Sequence, residues 1–201
     1  SMRQLRDDYD DLHLERLKDQ DLLDEGSAAG RKYYTVLPAG RDLLDKDLDI
    51  GPGAGDIGEK TPHKVGVRLL ELWIQQQDNV VRVEPYYEYD DGTVLDVAGF
   101  DEAGDLVWAG EAELASNNRH APVDDYDKLS AVDGNAVWAF NTRETAVDVL
   151  GQLADADRID ERVSGRAARS FATIRDAVDE LDAPGLTTVW GFKNLDQELN
   201  Q

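Results

Sequence analysis

Cysteine is absent from this 201-residue chain, which excludes disulfides, thiolate metal sites and a cysteine nucleophile together. Long apolar runs are missing too. No stretch of about 18 apolar residues could cross a membrane, and no secretory apolar segment opens the chain. The single methionine sits in a leading Ser1-Met2 that reads as a protease-cleavage scar, so the fold reading starts at residue 3. These absences predict a cytoplasmic chain with no membrane partner. Basic residues are scarce: 21 Lys and Arg face 43 Asp and Glu, a formal net charge of −22. A hydrophobic content of 41% is nevertheless enough for one ordinary core plus a small appended module.

The acids are spread along the whole chain and interleaved with apolar residues, with Asp ahead of Glu and Arg ahead of Lys. Such a surface is that of a halophilic protein, or of an unusually acidic cytosolic one, and the halophilic reading is preferred. In molar salt the Debye length is only about 3 Å. Net charge therefore does not exclude a nucleic-acid partner.

Three segments follow from periodicity and turn signals. Residues 3–48 are small and begin helical, with Leu5, Tyr9 and Leu12 at helical spacing and Leu14 and Leu17 on a second edge. Asp24 to Gly30 reads as a turn-rich tip, Arg31 to Leu37 as a strand, and Pro38 to Leu44 as a helix. Residues 49–60 hold four glycines and a proline without periodicity, hence a linker. This stretch lacks the G-x-x-x-x-G-K-[ST] pattern and a preceding strand, so it is not a phosphate loop.

Residues 61–201 read as α/β. Thr61-Pro62 opens a helix, Thr as cap and Pro in the first turn. A strand over 79–89, the turn Asp90-Asp91-Gly92 and a hairpin follow. Ala136 to Phe140 is a nearly all-apolar strand of the kind found inside a sheet. Helices are expected over 142–153 and 166–181, and a last strand over 186–192.

The hairpin carries the chemistry. It runs from Gly92 to Phe100, turns through Asp101 to Asp105 and returns from Leu106 to Leu114. A turn centred on Ala103-Gly104 puts Asp96 opposite Glu111 and Val94 opposite Glu113. Strand alternation then projects Asp96, Glu111 and Glu113 from one side. Like charges so close repel. Unless the site is wet or the carboxyls share protons, a divalent cation is the natural remedy.

The order helix, strand, hairpin, strand, helix around these acids resembles the αβββαβ core of the restriction-endonuclease-like, or PD-(D/E)xK, nuclease superfamily. The resemblance implies an α/β (α+β) fold and metal-dependent phosphodiester hydrolysis on DNA. It makes Asp96 and Glu111 ligands of Mg²⁺ or Mn²⁺, with Ala112 able to offer its carbonyl. Leu95 replaces the family's proline. Where the family has its catalytic lysine this chain has Glu113, an alternative base or further metal ligand. A basic residue on the following helix, Lys128, can take over the lysine's part. His63, near Glu59, is placed by the resemblance at the helix end that often contributes to the metal site, although an ordinary first-turn histidine is the alternative.

The first segment resembles the wing region of winged-helix domains, which makes Arg31, Lys32 and Arg41 candidates for the DNA backbone. Asn117, Asn118 and Arg119, on the loop leaving the acidic hairpin beside His120, are phosphate-contact candidates or merely solvated. Arg162, Arg166 and Arg169 share one helical stripe, suited either to phosphate tracking or to salt bridges with Asp. Trp73, Trp108, Trp138 and Trp190 sit in apolar stretches and read as core. A wider similarity is to a C-terminal region of haloarchaeal mobile-element proteins, often following an ATPase. It implies DNA as partner, an ATPase in the same parent chain or operon, and a chain cut from a longer protein. The alternative function is a nuclease fold that lost its chemistry and kept DNA binding or protein docking.

Overall fold

A computed structural model describes residues 13–43, 59–89, 92–115 and 121–200. The helix expected around Leu5, Tyr9 and Leu12, most of the 49–60 linker, the Asp90-Asp91 turn, and Asn117, Asn118, Arg119 and His120 lie outside the described residues. The order of elements is α1 (Leu14–Asp19), β1 (Leu23–Ala28), β2 (Arg31–Val36), α2 (Pro38–Leu43), α3 (Thr61–Ile74), β3 (Arg82–Tyr89), β4 (Thr93–Phe100) and β5 (Leu106–Glu113). Then come α4 (Ala121–Ser130), β6 (Asn135–Phe140), α5 (Arg143–Asp155), α6 (Phe171–Asp179), β7 (Thr188–Gly191) and α7 (Phe192–Glu198). The fold is mixed α/β. No helix among the described residues is long and apolar enough to cross a membrane.

Five strands form one sheet in the order β3-β4-β5-β6-β7. The first three are antiparallel neighbours, while β6 runs parallel to β5 and β7 parallel to β6. Both faces are covered, which is why β6 can be apolar from Ala136 to Phe140. Ala136, Trp138 and Phe140 enter the core under α4, α5 and α6, and Val137 and Ala139 the core under α3 and α7. Trp138 is fully buried and its indole N–H donates to the Gly185 carbonyl at 2.8 Å, so its burial leaves no orphan donor.

The β4–β5 register is the expected one from Val97↔Gly110 to Gly99↔Trp108, and a bulge then shifts it to Phe100↔Leu106. Asp101 organises the turn, its carboxylate accepting from the Ala103 and Asp105 N–H groups at 2.9 Å each. Gly104 takes φ +87° there.

Four local expectations need correction. Residues 24–30 are not all tip: Leu23–Ala28 is a strand paired with β2, and only Ala29-Gly30 turn, at φ 52° and 76°. Gly26 sits in that strand because α3 lies against it; a Cβ there would be 2.7 Å from Thr61 Cβ. Thr61 does not cap α3, whose N-cap is Lys60. Its hydroxyl donates to Asp24 Oδ2 at 2.5 Å and lies 3.0 Å from Thr35 Oγ1, tying the helix to the hairpin.

The expected 166–181 helix is shorter. A 3₁₀ turn over Ala167–Arg169 ends at Ser170, whose extended backbone and capping box with Thr173 restart the chain as α6. The last strand ends at Gly191, and Phe192 begins α7 instead of closing the strand.

Gly26→Val should therefore destabilise the protein by about 1–3 kcal/mol through overpacking against α3. Thermal unfolding checks this; an unchanged Tm would mean the hairpin does not rest on α3.

Candidate metal and catalytic site

The site forms where β4 and β5 part. Their backbone pairing ends at Val97↔Gly110, and beyond it side chains take over. Asp96 Oδ2 accepts the Ala112 N–H at 2.8 Å, and Glu111 Oε1 lies 3.3 Å from the Asp96 N–H that donates to it. Leu95 belongs to the core under α4–α6 and Val97 to the core under α3, so strict alternation breaks at Asp96. The neighbouring edge strand breaks in the same place. Tyr86, at φ 53°, falls between the pairs Pro85↔Val97 and Tyr87↔Leu95, a conformation costing a bulky residue roughly 1–3 kcal/mol. Consequently the three acids do not project from one side as expected: Asp96 turns to α3, while Glu111 turns to α4.

On the α3 side, His63 Nε2 lies 3.2 Å from Asp96 Oδ2 and Nδ1 lies 3.3 Å from Glu59 Oε1. The Tyr86 hydroxyl donates to the other Glu59 oxygen at 2.7 Å. Glu59, His63 and Asp96 each offer a ligand atom, all within 4.8 Å of one another. His63 Nδ1 is buried and too poorly aligned with Glu59 for a hydrogen bond. Burial opposes charge on this imidazole, but Asp96 and then Glu59 outweigh it and push its pKa up to about 10. A proton thus holds the place between two carboxylates that a metal cation could take.

On the α4 side, Lys128 Nζ lies 2.6 Å from Glu111 Oε1 and 3.0 Å from Asp125 Oδ1, and donates to the Val94 carbonyl at 2.9 Å. All three ammonium protons are spent. Burial works against the charge, but Glu111 and Asp125 raise the Lys128 pKa overall, so it stays an ammonium. Glu111 is buried, and burial together with Asp96 pushes its carboxyl upward while Lys128 pulls it down. With an ammonium at contact distance, Glu111 is best described as the anionic half of a buried pair. Burial, and then Asp125 beside it, raises Glu113 to about 8. Burial and Asp125 thus favour a protonated Glu113, which relieves part of the like-charge repulsion in the cleft.

These groups line one open cleft of about 530 Å³. Its walls carry the carboxylates of Glu59, Asp96, Glu111, Glu113 and Asp125 against Lys60, His63 and Lys128, an excess of negative charge that a divalent cation would offset.

Asp96, Glu111, Glu113, His63 and Lys128 thus come together, although the compact ligand group is Glu59–His63–Asp96 and not Asp96–Glu111–Glu113. Glu59, Tyr86 and Asp125 were missed as site residues. Glu59 stands four before His63 and Asp125 three before Lys128, spacings that place such pairs together on a helix face. No sequence signal marks the Tyr86 backbone.

The basic candidates do not converge. Arg31 Nη1 and Nη2 each lie 3.1 Å from Asp196, and Lys32 Nζ lies 2.5 Å from Glu25. Arg41 Nε donates to the Val36 carbonyl at 3.0 Å. Arg162 is in a loop after α5, paired with Asp155, while Arg166 precedes the 3₁₀ turn and Arg169 ends it, both exposed. The single helical stripe proposed for these three does not exist, because the chain from 156 to 166 is turns and irregular and only a 3₁₀ turn follows before α6. Trp73, Trp138 and Trp190 are buried, and Trp108 is half-buried against Trp73.

Comparison with known protein families, curated proteins and solved structures returns no match to this chain.

Proposed function

We propose that this chain is a metal-dependent phosphodiesterase acting on DNA, built on a restriction-endonuclease-like core. One observation carries the reading: where two central strands part, Glu59, His63 and Asp96 gather three ligand atoms within 4.8 Å, beside the Glu111–Lys128 pair in the same cleft. The order α3-β3-β4-β5-α4-β6, three antiparallel strands and then a parallel one, supports it. So does the position of Asp96 on the second strand and Glu111 on the third.

Two carboxylates and an imidazole suit Mn²⁺ better than Mg²⁺, which prefers oxygen alone. His63 Nδ1, buried 3.3 Å from Glu59 Oε1 without a well-aligned hydrogen bond, fits the same view. Bound there, a divalent cation would polarise a phosphoryl oxygen and acidify a coordinated water. The protein's own groups divide the remaining work. Lys128, its protons all engaged, is a fixed positive charge that orients Glu111 and offsets charge on a bound phosphate. Glu113, with a pKa of about 8, is matched to proton transfer near neutrality, holding or releasing a proton with Asp125. Tyr86 fixes Glu59.

Supercoiled plasmid incubated with the protein in molar KCl and Mn²⁺ should be nicked and linearised, and a chelator should stop it. Glu111→Gln, which keeps the shape but loses the charge facing Lys128, should slow cleavage about a hundredfold. Equal traces with and without Mn²⁺ would end the catalytic reading. Glu113 at the family's lysine position favours a second reading, a DNA-binding module without chemistry; plasmid retained in a gel shift yet uncut under every metal would select it.

A further inference from the structure

We propose that the groove between β2, α3 and α7 is a nucleotide-binding site, taking a base on its apolar floor and a phosphate at its basic rim. The groove has a volume of about 440 Å³, within the roughly 300–1,000 Å³ of small-molecule sites. It lies on the other side of the α3 N-terminus from the acidic cleft: Lys60 and His63 line the cleft, Thr61 and Lys64 the groove. Thr61, Lys64, Val65, Arg68, Leu69 and Leu72 are lining residues at helical spacing, hence one stripe of α3.

The two cavities have opposite character. The cleft is dominated by carboxylates, whereas the groove is lined by Arg31, Lys64 and Arg68 and, among the described residues, by a single acid, Asp196. That acid is already engaged. It is buried, accepts both Arg31 terminal nitrogens at 3.1 Å, and lies 3.4 Å from the Asn200 amide nitrogen that donates to it. The pair holds Arg31 at the rim with its side chain still 59% exposed. Arg68 is bound to Glu71 at 2.5 Å and is 39% exposed. In a chain with a net charge of −22, three basic side chains line this groove, Arg31 held by Asp196 and Arg68 by Glu71 just outside the lining.

Between these cations the lining is apolar. Val65, Leu69, Leu72 and Leu199 form the floor. Tyr33 shares the face of β2 that Thr35 turns toward Thr61, and it packs against the core under α3. Phosphate alone would leave this apolar and aromatic surface uncovered. An aromatic body with an attached phosphate uses all of it: stacking and apolar contact for the base, charge-assisted hydrogen bonds for the phosphate. That chemistry has two sources, a free mononucleotide and an unpaired nucleotide of a polynucleotide chain. The groove stands apart from the cleft, so the inference holds whether or not the cleft cuts DNA.

The test is fluorescence anisotropy of fluorescein-labelled oligothymidylate with the full chain over a series of KCl concentrations, with AMP as competitor. Saturable binding is expected, weakened about tenfold by Arg68→Ala and several-fold by Tyr33→Leu. Arg158→Ala, at an exposed arginine paired with Asp127 that lines neither cavity, should bind the oligonucleotide as wild type does. Displacement by AMP identifies a free nucleotide as sufficient ligand, and binding of the oligonucleotide alone identifies the unpaired strand; both support the site. Absence of saturable binding to either probe overturns the proposal, as does binding that Arg68→Ala leaves unchanged. Arg68 is partly exposed and lies outside the core, so this variant decides the matter even if Tyr33→Leu fails to fold.

Discussion

Asp96→Asn should abolish detectable Mn²⁺ binding and lower DNA cleavage by about a hundredfold or more. The substitution is chosen for what it keeps. An asparagine carbonyl can still accept the Ala112 N–H that Asp96 accepts at 2.8 Å, so the junction of β4 and β5 survives. What disappears is the negative charge shared with Glu59 across His63. The same geometry makes Mn²⁺ affinity depend on pH. In the metal-free protein His63 is protonated up to about pH 10, held so by Asp96 and Glu59 against its burial. Metal and proton compete for the imidazole, so apparent affinity should rise with pH by up to about tenfold per unit below that value. Isothermal titration calorimetry in buffers of different ionisation enthalpy would read the released proton directly. Retention of wild-type Mn²⁺ affinity by Asp96→Asn would remove Asp96 from the site.

How far the sequence could show this site depended on which kind of information each residue carries. The β4–β5 register was legible because Gly104 in the turn and the alternating acids constrain one another, and Val97↔Gly110 follows. The apolar run at β6 was legible because a strand covered on both faces has no polar side to show. The orientation of Asp96 was not. It depends on Tyr86 taking φ 53° on the neighbouring strand, a backbone choice that no residue type announces, since tyrosine resists it. Glu59 stood in a glycine-rich stretch read as linker, and becomes a site residue only because Tyr86 and His63 converge on it. The arginine stripe failed for a local reason: all three arginines precede Ser170, where the chain is turns and a single 3₁₀ turn, and the α-helix begins only after Ser170 caps it. Lys128 was reachable only through the resemblance, which allows a basic residue on the following helix where Glu113 stands in place of lysine.

Glu113→Gln should stabilise the protein at alkaline pH and leave it nearly unchanged in acid. Burial and Asp125 raise the folded-state pKa of Glu113 from 4.5 to about 8, so between those values the folded protein holds a proton that the unfolded chain has released. Stability must therefore fall as pH rises through this window, because the native state binds more protons than the unfolded one. The loss is complete above the folded pKa and absent below the unfolded one. Its ceiling is on the order of 5 kcal/mol, reduced by whatever water reaches the cleft. Glutamine removes the titration, and its amide can donate to Asp125 where the shared proton did. Thermal unfolding should thus show Glu113→Gln several degrees above wild type at about pH 8.5 and close to it at about pH 5. An equal difference at both pH values would mean that Glu113 carries no displaced proton. The consequence reaches beyond stability: a carboxyl kept protonated at neutrality, against its own folding, is a cost concentrated at the one position where the nuclease pattern expects lysine. If the pH-dependent gain appears together with loss of cleavage, that cost is the stability given up for a proton-transfer group. If the gain appears and cleavage is untouched, the proton serves only to let Glu113 and Asp125 lie side by side.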